Sequence, residues 1–270
     1  MDNRPILFID SGIGGIPYCR DFIKKNPNES VCYLADNKNF PYGPCEKEKL
    51  KSILVKLTEK LLEKIKPKII VVACNTATIA ALPLLRQNFS QVPFVGTVPA
   101  VRPAAEACNY GKVGVLATER TIEEIHSLNL TDNKCEIFGV AAPDLVDFIE
   151  LHFDSADEKE KTDIVRKYIK LFREANVDSL VLGCTHFLFL LEEFRREASP
   201  FIEVFDSLAG VTKRIEHLLD ENNLSFGAGA LRAEKDSSPV YRLLLTKDET
   251  DSSLWQTRAQ KTGFNLVLFD

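Results

Sequence analysis

Ile69-Ile70-Val71-Val72-Ala73-Cys74-Asn75-Thr76 reads as a strand that runs out into a helix start. Four β-branched residues in succession make it apolar on both faces, as a strand buried inside a parallel sheet is. The polar residues after Cys74 begin the return helix. Val181-Leu182-Gly183-Cys184-Thr185-His186 repeats the design: apolar strand, small residue, cysteine, hydroxyl, polar side chain. Two further segments correspond, Phe8-Ile9-Asp10-Ser11-Gly12 and Val115-Leu116-Ala117-Thr118-Glu119, each an apolar strand ending in an oxygen-bearing side chain. The economical reading is two similar α/β halves, each presenting a cysteine where a strand ends.

Outward from these segments the pattern is regular. Strands are predicted at 6–10, 31–35, 69–73, 94–97, 113–117, 137–140, 180–182 and 204–205. Helices are predicted between them at 17–25, 46–65, 76–87, 121–128, 143–153, 159–175, 187–196 and 209–220. Alternation of this kind predicts an α/β fold of mainly parallel sheets with right-handed crossovers. The chain is expected to divide near Thr97 and near Asp206: residues 1–97 with 207–270 in one domain, 98–206 in the other. The tail is assigned to the first domain because the second already has its complement of strands. Ser225–Pro239, rich in Gly, Ser and Ala, reads as loop.

Composition excludes several classes of function. A chain of 270 residues with 45% hydrophobic residues and a net charge of −5 is an ordinary globular one, without the basic stripe of a nucleic-acid binder. The basic run Lys47–Lys51 alternates with Glu46 and Glu48 and reads as a solvated helix face. The N-terminus lacks the long apolar region of a signal peptide, and no apolar run is long enough to span a bilayer, so a cytoplasmic protein without a membrane partner is expected. Seven cysteines, an odd number without regular spacing, fit reduced thiols better than a disulfide scaffold. No CxxC pair occurs and the four histidines are scattered, so no metal site is expected.

Ligands of open parallel sheets bind beyond the carboxyl ends of the strands. Asp10–Ser11, Asp36, Cys74–Asn75–Thr76, Thr118 and Cys184–Thr185–His186 are therefore the candidates. A helix N-terminus favours a thiolate, and both cysteines stand at one. Cys19, Cys32, Cys45, Cys108 and Cys135 are read as packing, the usual fate of a cysteine. For Cys74 and Cys184, position alone leaves packing and chemistry both open. A thiol-hydrolase pair, Cys184 with His186, would leave Cys74 and the repeat unexplained. Gly12, Gly14 and Gly15 lack the rest of a dinucleotide or P-loop signature and read as a tight turn that a ligand can approach.

FIDSGIGG (8–15), YLADNKNFPYG (33–43), VVACNTAT (71–78), VGTVPA (95–100), GVLATERTI (114–122) and LVLGCTH (180–186) resemble the successive motifs of the glutamate racemases, in that family's order, and FDSLA (205–209) is similar to a later one. The resemblance implies two similar domains related by a pseudo-twofold, an active site in the cleft between them, no cofactor, and usually a homodimer. It places the family's two catalytic cysteines on Cys74 and Cys184. Its Asp-Ser pair falls on Asp10 and Ser11, its Tyr-Gly pair on Tyr42 and Gly43, and its Asn-Thr pair on Asn75 and Thr76. Its Thr-His pair falls on Thr185 and His186, its supporting glutamate on Glu150, and its strand-end threonine on Thr118. Asp10 is then expected beside Cys74 and His186 beside Cys184, tuning each thiol or relaying its proton. The implied activity is two-base interconversion of L- and D-glutamate, supplying D-glutamate for peptidoglycan. Aspartate racemisation, another isomerisation or decarboxylation within the superfamily, and a non-catalytic binding protein on the same scaffold are the alternatives. The chain departs from the family pattern at Asn37, Arg120, Ala142 and Phe187, of which Asn37 and Phe187 bear on pocket shape.

Overall fold

The computed structural model describes residues 2–127, 135–225 and 239–269. The described residues form two compact units, one from Met1–Thr97 with Leu208–Asp270, the other Val98–Ser207. Every strand pairing in both is parallel.

The first unit holds a six-stranded sheet. β1 (Ile6–Asp10), β2 (Val31–Ala35), β3 (Ile69–Val72) and β4 (Phe94–Gly96) alternate with α1 (Ile16–Lys25), α2 (Lys47–Lys64) and α3 (Asn75–Asn88), and α9 (Leu208–Glu221), β9 (Tyr241–Leu245), α10 (Ser253–Thr262) and β10 (Asn265–Leu268) complete it. The order across the sheet is β10-β9-β2-β1-β3-β4. All residues of β1, β2 and β3 are buried, because both faces are covered. Leu7, Ile9, Ile70 and Val72 share a core cluster with Leu50, Leu54 and Leu61 of α2 and Ala77, Ala81 and Leu85 of α3. From the other face Phe8 meets Phe22 of α1, ring centroids 6.1 Å apart. Each such aliphatic side chain taken out of water contributes about 1.5–3 kcal/mol.

The second unit has a four-stranded sheet of order β6-β5-β7-β8, built from β5 (Lys112–Ala117), β6 (Glu136–Ala141), β7 (Ser179–Leu182) and β8 (Glu203–Phe205). Its helices are α4 (Val101–Ala107), α5 (Glu119–Ser127), α6 (Pro143–Leu151), α7 (Glu158–Glu174) and α8 (Leu191–Ala198), with a 3-10 turn at Thr185–Leu190. Val113, Val115, Ala117 and Val181 pack on α4 and α5. Gly114 makes room for α7: a Cβ there would lie 2.7 Å from the Phe172 ring. Asp157 and Glu160 start α7 with a reciprocal capping box.

The strand order β2-β1-β3-β4 of the first unit recurs as β6-β5-β7-β8 in the second. Matching registers equate Ile9 with Leu116 and Val72 with Leu182. The α/β expectation, with two similar mainly parallel sheets, is met. The helix expected at 187–196 starts earlier and as a 3-10 turn, followed by α8. Residues three apart eclipse in that geometry, and the pairs Thr185/Leu188 and Phe187/Leu190 are all buried. Four elements of the described residues escape the sequence pattern: α4, too short to show a period, α10, and β9 and β10, which extend the sheet by pairing, β9 onto β2 and β10 onto β9. The expected loop at 225–239 and the end of the helix expected at 121–128 fall largely outside the described residues.

Candidate functional site

Each unit gathers polar side chains at the carboxyl ends of its central strands. In the first, Cys74 caps the N-terminus of α3 with extended backbone, φ −141° and ψ 121°. Ala73 before it donates its N–H to Ile9 O at 2.8 Å, which sets the cysteine one residue past the end of β1. Asp10, the last residue of β1, is fully buried and its Oδ1 accepts the Ser11 N–H at 2.6 Å. The turn after Ser11 is pinned by Tyr33, whose hydroxyl donates to Gly12 O at 2.7 Å and accepts from Gly15 N at 3.1 Å. Gly15 is required there: a Cβ would come within 2.7 Å of the Ala73 Cβ. Asn75 and Thr76 open α3 and are buried.

Tyr42 is buried at the same edge and its hydroxyl donates to Asp36 Oδ2 at 2.7 Å. Burial pushes its ionisation well above the ordinary tyrosine range, and the neighbouring Asp36, Cys74 and Asp10 push it further. Gly43 is half-buried in the loop between Tyr42 and α2.

In the second unit Cys184 has nearly the same backbone, φ −125° and ψ 135°, and caps the 3-10 turn. Gly183 donates to Leu116 O at 2.7 Å, the counterpart of the Ala73 bond. Cys184 Sγ lies 3.7 Å from His186 Nδ1, and His186 Nε2 lies 2.7 Å from Glu150 Oε1. Cys184, His186 and Glu150 are each no more than 6% exposed. Glu150 reaches the histidine because α6 packs against the 3-10 turn. Burial alone would lower the pKa of His186, but its hydrogen bonds to Cys184 and Glu150 outweigh it and hold the pKa well above the ordinary histidine value. The ring thus lies between the sulfur on its Nδ1 side and the carboxylate on its Nε2 side. Thr185 is buried beside it. The Thr118 hydroxyl bonds Thr121 Oγ1 at 3.0 Å and accepts the Thr121 N–H at 3.4 Å, capping α5.

The structure thus brings Asp10, Ser11, Tyr42, Cys74, Asn75 and Thr76 to one strand edge, and Thr118, Glu150, Cys184, Thr185 and His186 to the corresponding edge of the other unit. The strand registers that match the cysteines place Ala117 where the first unit has Asp10 and Ala142 where it has Asp36. The second unit takes its carboxylate from a helix instead. Asp36 had no role in the sequence reading beyond its strand-end position, and Thr246, its partner from the C-terminal segment at 2.6 Å, had no signal at all.

A model of the Asp/Glu/hydantoin racemases matches residues 23–212. The chain belongs to the Asp/Glu/hydantoin racemase family. Glutamate racemase of Shewanella baltica is 34% identical over 272 residues, covering 98% of this chain and 97% of its own. That of Bartonella tribocorum is 36% identical over 225 residues, 81% of this chain and 82% of its own. Among solved structures, Escherichia coli glutamate racemase in complex with L-glutamate and the activator UDP-MurNAc-ala superposes with a TM-score of 0.81 at 28% identity, covering 98% of this chain and 97% of its own. The Francisella tularensis enzyme in complex with D-glutamate gives 0.77 at 27%, covering 100% and 98%. These relatives place the chain among the amino-acid racemases of the family. No helix of the described residues is long and apolar enough to cross a membrane.

Proposed function

We propose that this racemase interconverts L- and D-glutamate by passing the α-proton between Cys74 and Cys184. The observation that carries the reading is the pair of strand-end cysteines, alike in backbone, each capping a helical turn and each set among acid/base side chains.

Racemisation removes the α-proton from one face of the substrate and returns a proton to the other, so two groups on opposite faces are needed. A thiolate on one face takes the proton as the Cα–H bond breaks, and the electron pair stays on the α-carbon. The thiol on the other face gives up its S–H proton to that carbon. The enzyme ends with thiol and thiolate exchanged, ready for the reverse direction. The carbanion is costly, and donors already aimed at the substrate carboxylate lower its energy. Asn75, Thr76 and Thr185, with backbone amides at the two helical starts, are assigned to that task. Ser11, Tyr42, Gly43 and Thr118 complete the substrate contacts.

The two thiols have different auxiliaries. Asp10 serves Cys74 from the adjacent strand end. His186 serves Cys184 directly: its N–H stabilises charge developing on the sulfur and can return a proton to it. Glu150 holds the ring's orientation through Nε2. The reading requires no pyridoxal phosphate, and it includes D-glutamate supply for peptidoglycan and a homodimer. Circular dichroism on L- and D-glutamate, with aspartate beside them and hydroxylamine present to trap any aldehyde cofactor, tests it. Inversion of both glutamate enantiomers and not of aspartate supports it; inversion of aspartate alone, or of neither, overturns it.

A further inference from the structure

The C-terminal segment reaches the polar edge of the first unit through Thr246, which follows β9. Its hydroxyl accepts the Lys38 N–H at 3.1 Å and lies 2.6 Å from Asp36 Oδ1 and 3.4 Å from Asn37 Oδ1. A hydroxyl has one proton to give, and the short contact takes it: Thr246 donates to Asp36. Asp36 is 1% exposed. The Asn39 amide spans both of its oxygens, at 3.0 and 2.9 Å. Its Oδ2 accepts the Tyr42 hydroxyl proton at 2.7 Å. With that proton committed to Asp36, the Tyr42 oxygen offers only lone pairs to any other group, and Tyr42 shares a buried cluster with Cys74.

The same segment is clasped a second time. Asn37 Oδ1 accepts the Lys247 N–H at 2.9 Å and Asn37 Nδ2 donates to Lys247 O at 3.2 Å. Asn37, one of the side chains that depart from the racemase motif, thus fastens Lys247, the residue after Thr246, to the loop carrying Tyr42.

We infer that Thr246 is a positioning residue of the racemisation site: through Asp36 it fixes the Tyr42 hydroxyl as a hydrogen-bond acceptor beside Cys74, where it receives an N–H of the substrate's α-ammonium group. This deepens the glutamate racemase reading and rests on it. A phenol released from Asp36 would turn its proton towards the ammonium and repel it, so the loss falls on substrate binding.

A double-mutant cycle tests the relay. Thr246→Val is expected to lower kcat/KM for glutamate about tenfold, mostly through KM, the effect of removing one hydrogen bond to a charged group. Thr246→Ser, which keeps the hydroxyl, restores it to within about twofold. Tyr42→Phe removes the group on which Thr246 acts, so adding Thr246→Val to it costs little more. An equal loss in both backgrounds, or a Thr246→Ser variant as impaired as Thr246→Val, overturns the inference. If Thr246→Val does not fold, Asp36→Asn takes its place in the cycle with the same two outcomes. If the unaltered protein inverts no glutamate, the functional reading fails by itself. Calorimetric binding of D-glutamate to the same proteins then decides the relay: coupled losses support it, additive losses or no binding overturn it.

Discussion

Cys74 and Cys184 share a backbone conformation but not a neighbourhood. Cys184 has the His186 ring 3.7 Å from its sulfur, itself held by a buried carboxylate, while Cys74 stands at the strand edge of Asp10 and Tyr42. Under the two-base reading each is indispensable to inversion but not to proton removal on the other's face. Cys74→Ser and Cys184→Ser should each lower racemisation by at least about 10³-fold, and α-proton exchange with D2O should survive for one enantiomer in each variant, a different one in the two. Proton NMR of L- and D-glutamate in D2O reads both. Near-normal inversion by either variant ends the two-cysteine mechanism. The His186–Glu150 pair makes a second prediction, of sign. Because the folded-state pKa of His186 is raised, its stabilising contribution is full below the unfolded value near 6.5. It is lost as pH rises through the folded value. Glu150→Gln should therefore cost about 2 kcal/mol at pH 6 and progressively less in alkaline solution. Urea unfolding across that range measures it, and a cost that grows with pH contradicts it.

At the scale of elements, the small residue before each cysteine is set by packing. The Gly183 N–H bonds β5, and a Cβ there would sit 2.9 Å from the Ala117 Cβ and 3.2 Å from Leu116 O. Neither neighbour can swing aside, since one is a methyl on a strand and the other a backbone oxygen. Gly183→Ala should cost about 1–3 kcal/mol of stability by overpacking, measured as a fall in the urea midpoint, and should impair turnover more than its stability loss explains, because Cys184 is the next residue. The 3-10 turn that follows carries the cysteine's partners. Its i, i+3 pairing buries Phe187 and Leu190 together, while α6 brings Glu150 to His186. In the first unit the corresponding support comes from β9, which pairs with β2 and carries Thr246 to Asp36.

On the scale of the molecule, long-range ties are concentrated in the first unit, whose chain returns after residue 207. Lys68 leads into β3 with its side chain buried, and its ammonium reaches Glu29 at 2.6 Å, Leu224 O at 2.8 Å and Asp2 O at 3.0 Å. One cation therefore joins the N-terminus, the approach to β2 and the end of α9. Removing one partner of a buried pair strands the other's charge. Lys68→Met should destabilise by about 3–5 kcal/mol, whereas Lys51→Met, which breaks a half-exposed contact to Glu48, should cost under about 1 kcal/mol. Thermal unfolding of the two variants compares them, and equal losses would refute the assignment.

By itself the sequence determined the α/β class, the strand ends at which Asp10, Cys74, Thr118 and Cys184 stand, and the kinship of the two halves. Each of these is written locally: a both-face apolar run, a small residue and a helix start occupy adjacent positions, and their periodicity survives without knowledge of any partner. The family resemblance singles out Tyr42 and Glu150, but no local pattern says what they touch. Only the tertiary structure set Glu150 against His186 and Thr246 against Asp36, because those contacts join side chains far apart along the chain, and only it folded the irregular loop that sets Tyr42 on Asp36. The same holds for β9 and β10, whose strand character comes from pairing, β9 on the edge of β2 and β10 on β9, and not from their own short apolar runs.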